Sequence, residues 1–447
     1  MNRDLLAKYD VPVPRYTSYP TAPQWSDTPQ PDEWRASLAA SVAPADASVS
    51  VYVHVPFCES LCTFCGCNTV ITRDHAREEP YVDLVLRELD TYLAAAPTLS
   101  DRPVRHVHLG GGTPTFLAPA SLDRLAGEIH RRLPSRGEHF EGSIEADPRV
   151  TSADHLAALA QHGFQRLSLG VQDFDDEVQA LVNRRQSYEL VERLTAQARA
   201  TGFVSVNFDL IYGLPGQTPA SARHLADLVA DLRPDRLAVY SFARVPWIKP
   251  AQRKFRDDQV PAGAEKRALY EILRDRLMAE GYVELGLDHF ALPHDSLAVA
   301  AESGSLHRNF MGYAERPTTT LLGLGVSAIS ETADCYHQNE KILPVYERRV
   351  QAGEVPTLRG HKLSADDQRR RDRIRRLMTT FRTPIDENEE ADAREFLAPL
   401  VADGLVAIDH GELRILPGGR AFLRNAASFF DRYYRSTQPA GPMYSTL

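Results

Sequence analysis

The sequence predicts an α/β fold built on a partial (β/α)6 barrel of parallel strands, and three observations carry that expectation. From about residue 48 to 245, six short β-branched or apolar runs alternate with longer helical patterns. Strand-then-helix repetition returns the chain to the same end of the sheet, which makes the strands parallel. The chain has 447 residues, enough for one barrel-sized domain with smaller additions at roughly 150 residues per domain. Hydrophobic residues make up 43% and charged residues 25%, as in ordinary globular proteins.

Residues 1–45 read as an N-terminal arm or lid. Pro12, Pro14, Pro20, Pro23, Pro29 and Pro31 interrupt regular structure there, while Tyr16, Tyr19 and Trp25 offer apolar anchors. The barrel domain is placed at 46–345. Its strand runs are SVYVHV (50–55), VRHVHLG (104–110), GSIEAD (142–147), RLSLGVQ (166–172), VSVNFDLI (204–211) and RLAVYSF (236–242). Between them lie the helical patterns YVDLVLRELDTYLAAA, PASLDRLAGEIHRRL, SADHLAALAQHG and YELVERLTAQARATG, with Gly163 and Gly202 at C-cap positions. Residues 346–447 read as a mainly helical, winged-helix-like domain. It opens on the basic run RRRDRIRRL (369–377) and continues as helix, DGL turn, short strand, HG turn and second strand. A net charge of 51 − 60 = −9 argues against a nucleic-acid partner and favours a packing role for that module. No run approaches the roughly 20 apolar residues of a spanning helix, and the first twenty residues hold no signal-peptide core. A cytoplasmic protein without membrane attachment is expected.

In parallel α/β folds ligands gather beyond the C-terminal strand ends. Those ends carry a cysteine loop after the first run, Gly110 to Thr113 after the second, Glu145 in the third, Gln172 at the fourth and Asp209 in the fifth. Of the 5 cysteines, Cys58, Cys62, Cys65 and Cys67 fall within ten residues and Cys335 stands apart. Their spacing in PFCESLCTFCGCN, C-x3-C-x2-C-x-C, differs from the paired C-x2-C knuckles of a tetrahedral zinc site. Three thiolates on one short loop can hold three irons of a [4Fe-4S] cubane and leave the fourth open.

With the aromatic Phe64 just before the last of the three, the loop resembles that of the radical S-adenosylmethionine (SAM) superfamily. There SAM chelates the open iron and is cleaved to a 5′-deoxyadenosyl radical, and GGGTP (Gly110 to Pro114) resembles the superfamily's SAM amino-group contact. PRYTSYPTA, YVHVPFCESLCTFCGCN, HLGGGTPTFL, IEADPR, RLSLGVQDF, VNRRQ, FDLIYGLPGQT, AQRKF, LDHFA, LHRNFMGY and LLGLGVSAIS resemble, over nearly the whole chain, the family of oxygen-independent coproporphyrinogen III oxidases. The resemblance implies an oxidoreductase that turns two propionates of coproporphyrinogen III into vinyl groups, giving protoporphyrinogen IX in anaerobic heme biosynthesis. By it Cys58, Cys62 and Cys65 act in catalysis as the cluster ligands, and Cys67 is an extra cysteine. Two SAM molecules are implied: one at Tyr52, Gly111, Glu145, Ala243 and Ile329, the other at Phe64, Gly112, Thr113, Gln172, Arg184 and Asp209. A reduced flavodoxin or ferredoxin as electron donor and a monomeric state come with the same resemblance.

A tetracarboxylate substrate in a chain of net charge −9 requires local cations. Arg15, His54, Arg184, Arg253, Lys254 and Arg308 are the expected ones, with Arg184 reserved for SAM. The competing readings are a radical SAM heme chaperone that delivers heme without decarboxylation, a heme-opening radical methyltransferase, and a structural zinc module. Cys67 and the PRYTSYP arm favour the oxidase over the chaperone.

Overall fold

Alternating β-branched residues make β1 (Val49–Val55) a strand, and Val49, Val51, Val53 and Val55 are all fully buried. The computed structural model describes residues 3–436. β1 is followed by β2 (Val104–Gly111), β3 (Arg136–Ala146), β4 (Phe164–Gln172), β5 (Ser205–Tyr212) and β6 (Arg236–Ser241), each pairing parallel with its predecessor. The crossovers are helices α2 (Glu78–Ala95), α3 (Pro119–Arg132), α4 (Ala153–Ala160), α5 (Tyr188–Thr201) and α6 (Pro219–Leu232). Side-chain caps start several of them: Ser152 accepts from the His155 N–H, Ser187 from Leu190 and Thr218 from Ser221. Gly202 ends α5 at φ 101°, a left-handed conformation that disfavours any other residue. Gly163, at φ 79°, makes the turn into β4.

The sheet reaches further than the six-strand rhythm announced. β7 (Val283–Leu285) and β8 (His289–Ala291) extend it beyond β6. On the other side β9 (Thr320–Leu324) pairs parallel with β1, and β10 (Ile329–Glu331), β11 (Cys335–Asn339) and β12 (Thr357–Lys362) follow antiparallel. The twelve-stranded order is β12-β11-β10-β9-β1-β2-β3-β4-β5-β6-β8-β7, open at both edges, so the barrel is partial.

Two expected boundaries shift. Within residues 1–45, α1 (Pro31–Val42) is a regular helix, because Pro31 occupies the first turn, where a missing N–H costs nothing. Its Trp34, Leu38 and Val42 are fully buried in the barrel core, with Trp34 stacked on His337 at 4.8 Å. Replacing Trp34 by Ala is expected to cost about 3–5 kcal/mol, readable as a fall in the urea midpoint. Further upstream, Leu6, Tyr9, Tyr16 and Tyr19 share a second core with the C-terminal unit. The arm is therefore built into both cores and is not a loose flap. The expected boundary at 345/346 falls inside the sheet layer, since Tyr346, Val350 and Val355 belong to the main core and β12 pairs with β11. Tyr346 and Val350 lie on helix α7 (Leu343–Gln351), and the C-terminal unit proper begins with helix α8 (Ala365–Thr380) and holds a three-stranded sheet, Arg382–Pro384, Glu412–Ile415 and Val406–Asp409. The HG turn is present, with His410 at φ 51° and Gly411 at φ 72°, the positive pair that a tight hairpin requires.

The basic run on α8 is committed to carboxylates. Arg369 and Arg370 pair with Asp366, Arg371 with Glu331, Arg373 with Asp386 and Glu389, and Arg375 and Arg376 with Asp372. Among the described residues no helix is long and apolar enough to cross a membrane.

Candidate active site

Where β1 ends, Pro56 turns the chain into the cysteine loop, and that loop is fastened from several sides. Phe57–Cys58 pairs with Val70–Ile71, closing the loop on itself through Val70 N–H to the Pro56 carbonyl (2.8 Å) and Thr72 N–H to the Cys58 carbonyl (2.9 Å). The next strand's glycine loop then locks onto it: Gly112 N–H donates to the Val55 carbonyl (2.8 Å) and Thr113 N–H to the Phe57 carbonyl (2.9 Å). The far side is held by Asn183, which donates to the Leu61 carbonyl (2.8 Å), and by Lys249, which donates to the Cys67 carbonyl (2.8 Å).

Beyond the C-terminal ends of β1 to β6 lies a cavity of ≈ 740 Å³. Of the residues expected at the site, Cys58, Cys62, Phe64, Cys65, Gly111, Gly112, Thr113, Glu145, Gln172, Arg184, Asp209 and Ala243 line it together. Tyr52 and Ile329 do not. Tyr52 stands behind the wall, its ring stacked at 5.7 Å on the cavity-lining His108. Ile329 packs against the Trp25, Tyr336 and Leu363 cluster.

All four loop cysteines are free thiols facing this space. Cys62 is buried with its Sγ 3.5 Å from guanidinium nitrogens of both Arg149 and Arg184. The Cys65 thiol is held below the ordinary range by hydrogen bonding from Cys67, with Lys249 and Arg184 adding cationic support, whereas burial pushes Cys58 up to about 11. Among the described residues no three metal-ligating side chains converge on one point as they would around a single ion. Three thiols set around a shared volume suit a cluster whose irons each take one thiolate.

The acids divide by environment. Burial alone would raise Glu145, but His108 (3.4 Å) and the Gly111 N–H (3.0 Å) hold its carboxyl below the usual range. Burial, and then the Glu145 charge, push Asp209 up to about 7, although Ser168 (2.8 Å) and Asn207 (2.9 Å) donate to it. Arg184 bonds to Asp147 (2.9 Å) and to the Gly170 carbonyl (2.6 Å). Its partner Asp147, and Arg149 beside it, sit inside the IEADPR run and were not singled out from the sequence. Also missed were His108, Ser168 and Asn207, which support Glu145 and Asp209. Only Asn207 carried a positional signal, two residues before Asp209 on β5 and so on the same face; His108 and Ser168 sit on β2 and β4, beside the strands that carry the acids, a relation that only the strand order reveals. Below, ion pairs of Arg166 with Glu141 and Glu315 and of Arg236 with Asp295 close the cavity floor.

The expected substrate cations separate. His54 is buried, its Nε2 donating to the Asn68 carbonyl (2.9 Å) and its Nδ1 accepting from the Tyr52 hydroxyl (3.1 Å), and burial lowers its pKa. A neutral ring in that place is a brace, not an anion receptor. Arg253 and Lys254 point outward and do not line the cavity. Arg15 pairs with Asp288 and lies 5.1 Å from the centroid of Tyr240, while Arg308 lies 4.9 Å from that of Tyr313. Both tyrosines are cavity wall, and the buried Arg308 Nε has no hydrogen-bond partner among the described residues.

The model of the Radical SAM superfamily matches residues 52–229. The oxygen-independent coproporphyrinogen III oxidase of Escherichia coli (strain K12) is 43% identical over 441 residues, spanning 96% of this chain and 95% of that protein. The protein of the same name from Pseudomonas aeruginosa is 39% identical over 444 residues, spanning 97% and 96%. A solved coproporphyrinogen III oxidase from Escherichia coli, described as a radical SAM enzyme, superposes with a TM-score of 0.88 at 42% identity, covering 94% of this chain and 97% of that one.

Proposed function

The chain belongs to the family of oxygen-independent coproporphyrinogen III oxidases within the radical SAM superfamily, and from that premise we propose how its own residues serve the reaction. It is an oxidoreductase of heme biosynthesis that decarboxylates two propionates of coproporphyrinogen III to vinyl groups, giving protoporphyrinogen IX, with a [4Fe-4S] cluster and SAM as cofactors. The observation that carries the residue assignment is one cavity lined at once by the four loop thiols, the Gly111–Thr113 backbone and the acids Glu145 and Asp209.

Cys58, Cys62 and Cys65 hold the cluster, and the guanidiniums of Arg149 and Arg184 offset the negative charge gathered at Cys62. When bound, the cluster and SAM supply the hydrogen-atom abstraction that opens oxidative decarboxylation. Gly111, Glu145 and Ala243, with Tyr52 bracing the wall through His108, hold the SAM at the cluster, and Ile329, off the cavity, contributes at most through packing. Phe64, Gly112, Thr113, Gln172, Arg184 and Asp209 hold a second SAM. An ionised Glu145 accepts from ribose hydroxyls, and Asp209, near neutrality, can donate as well as accept. The closed ionic floor keeps water from entering below.

Arg15 and Arg308 stand behind the Tyr240 and Tyr313 wall and do not line the cavity; the charge of Arg15 is taken by Asp288, so Arg308, which forms no ion pair among the described residues, is the cation that draws substrate carboxylates through its field. A pair of unit charges about 8 Å apart is worth about 2 kcal/mol at the effective dielectric of a protein site, so Arg308→Ala is expected to raise the KM for coproporphyrinogen III by about tenfold or more. SAM cleavage without substrate should stay unchanged in that variant. The protein acts in the cytoplasm as a monomer and takes electrons from a reduced flavodoxin or ferredoxin.

The test is anaerobic incubation of the iron-reconstituted protein with coproporphyrinogen III, SAM and dithionite. Vinyl product with two CO2 per porphyrinogen is the expected result. Heme binding with no CO2 released would overturn the reading in favour of a chaperone.

A further inference from the structure

Nearly every arginine on α8 is neutralised by a carboxylate, yet the surface around the cysteine loop is not. Arg253 donates only to the Pro246 carbonyl, Lys254 lies over the Phe255 ring, and Arg359 donates to the Gln338 amide oxygen. None of these, nor Lys341, forms an ion pair among the described residues, and the nearby Asp257 and Asp258 are taken by Arg244 and Arg256. Lys341 lies close enough to Arg359 and Lys249 to be repelled by both. The two cationic segments flank the exposed edge of the cysteine loop at Cys67. Lys249 donates to its carbonyl on one side, and on the other Asn68 donates to the Lys341 carbonyl (3.0 Å). The same two segments carry exposed apolar side chains, Trp247 at 49%, Ile248 at 60% and Ile342 at 61%. An apolar centre inside a ring of one charge sign is how a transient interface is composed.

We propose that this face, centred on Trp247 and Ile342 and ringed by Arg253, Lys254, Lys341 and Arg359, docks an acidic one-electron carrier protein against the exposed edge of the cysteine loop. The inference rests on the functional reading above, because a reductively cleaved cofactor consumes one electron per event. One electron leaves the carrier and one enters the cluster, with no bond made to the carrier. Charge selects the occupant: in a chain of net charge −9, an unpaired cationic rim repels a basic partner and attracts an acidic one. Placement beside Cys67 shortens the electron's path.

The reconstituted holoenzyme and its Arg253→Glu/Lys254→Glu variant are titrated with purified oxidised flavodoxin, and turnover is driven in parallel by reduced flavodoxin and by dithionite. The variant is expected to bind flavodoxin about tenfold more weakly at low ionic strength, with the gap closing in high salt. Dithionite-driven turnover should be unchanged. Trp247→Ala is expected to weaken binding at both salt levels. Equal flavodoxin binding by variant and parent would overturn the proposal, as would equal loss of turnover with both reductants. A parent enzyme that binds flavodoxin but decarboxylates with neither reductant would count against the functional reading and leave the docking result standing.

Discussion

Cys62→Ser is expected to empty the cluster site and reduce turnover to background while the fold persists. Serine is nearly the size of cysteine, so the buried side chain fits without a cavity. A hydroxyl is a far poorer ligand for iron than a thiolate, because soft sulfur ligands are what iron–sulfur clusters select. The variant also loses the sulfur that the guanidiniums of Arg149 and Arg184 face at 3.5 Å, leaving two cations against one Asp147. Losing an outer-shell partner costs about 10–100-fold in metal affinity, and a direct ligand costs more. The measurements are iron per chain, visible absorbance after anaerobic reconstitution, and circular dichroism as the check on folding. Iron content equal to the parent's, with a normal fold, would break the assignment of the three ligands. Cys335→Ser is the control: that thiol is buried in β11, its pKa pushed up to about 12 by burial, and it lies outside the cavity. Iron content there should be unchanged.

What the sequence disclosed and what it hid divide along a physical line. β1 to β6 were legible because each is a short β-branched or apolar run and the first five lead into amphipathic helices, and their bounds moved by few residues except in β3, which starts at Arg136. The polar opening of that strand, RGEHFE, carries no apolar alternation to announce it. β9 was invisible as a strand for another reason: TLLGL is buried at every position and interrupted by Gly323, so it has no period to read. Its glycine is required by packing, since a Cβ there would come 2.4 Å from the Ile329 carbonyl oxygen. At the site, residue types with strong chemistry, the thiols and the strand-end acids, could be picked out by position. Arg149 and Asp147 could not, because an Arg–Asp pair two residues apart reads as an ordinary surface bridge until Cys62 is found beside it. The cations failed differently. His54, Arg253 and Lys254 were chosen for charge, and charge says nothing about which way a side chain faces or whether burial leaves it protonated.

Gly112→Ala is expected to disable the site by moving its backbone. A Cβ at 112 would lie 2.6 Å from the Pro56 carbonyl oxygen, 2.7 Å from its carbon and 3.0 Å from the Phe57 carbonyl oxygen. These are backbone atoms, so no rotamer change can make room. Gly112 cannot retreat either, because its N–H is bonded to Val55 and the next N–H to Phe57. The strain must push Pro56 and Phe57, the residues that place Cys58. Overpacking of this kind costs about 1–3 kcal/mol of stability, and a displacement of about 1 Å in a catalytic constellation can cost about 100-fold in rate. The expected result is a folded protein with a lowered unfolding midpoint, reduced iron loading and turnover down by about two orders of magnitude. Gly66→Ala, in the same loop, separates sterics from mere proximity to the cysteines. Apart from its two chain neighbours, no described residue comes within 4 Å of a Cβ at Gly66, so its stability should shift by no more than about 0.5 kcal/mol, and iron loading should match the parent. If Gly66→Ala lost iron as severely as Gly112→Ala, the damage would belong to any added methyl near the loop. If Gly112→Ala kept full turnover, the contact between the glycine loop and Pro56 would not be what positions the thiols.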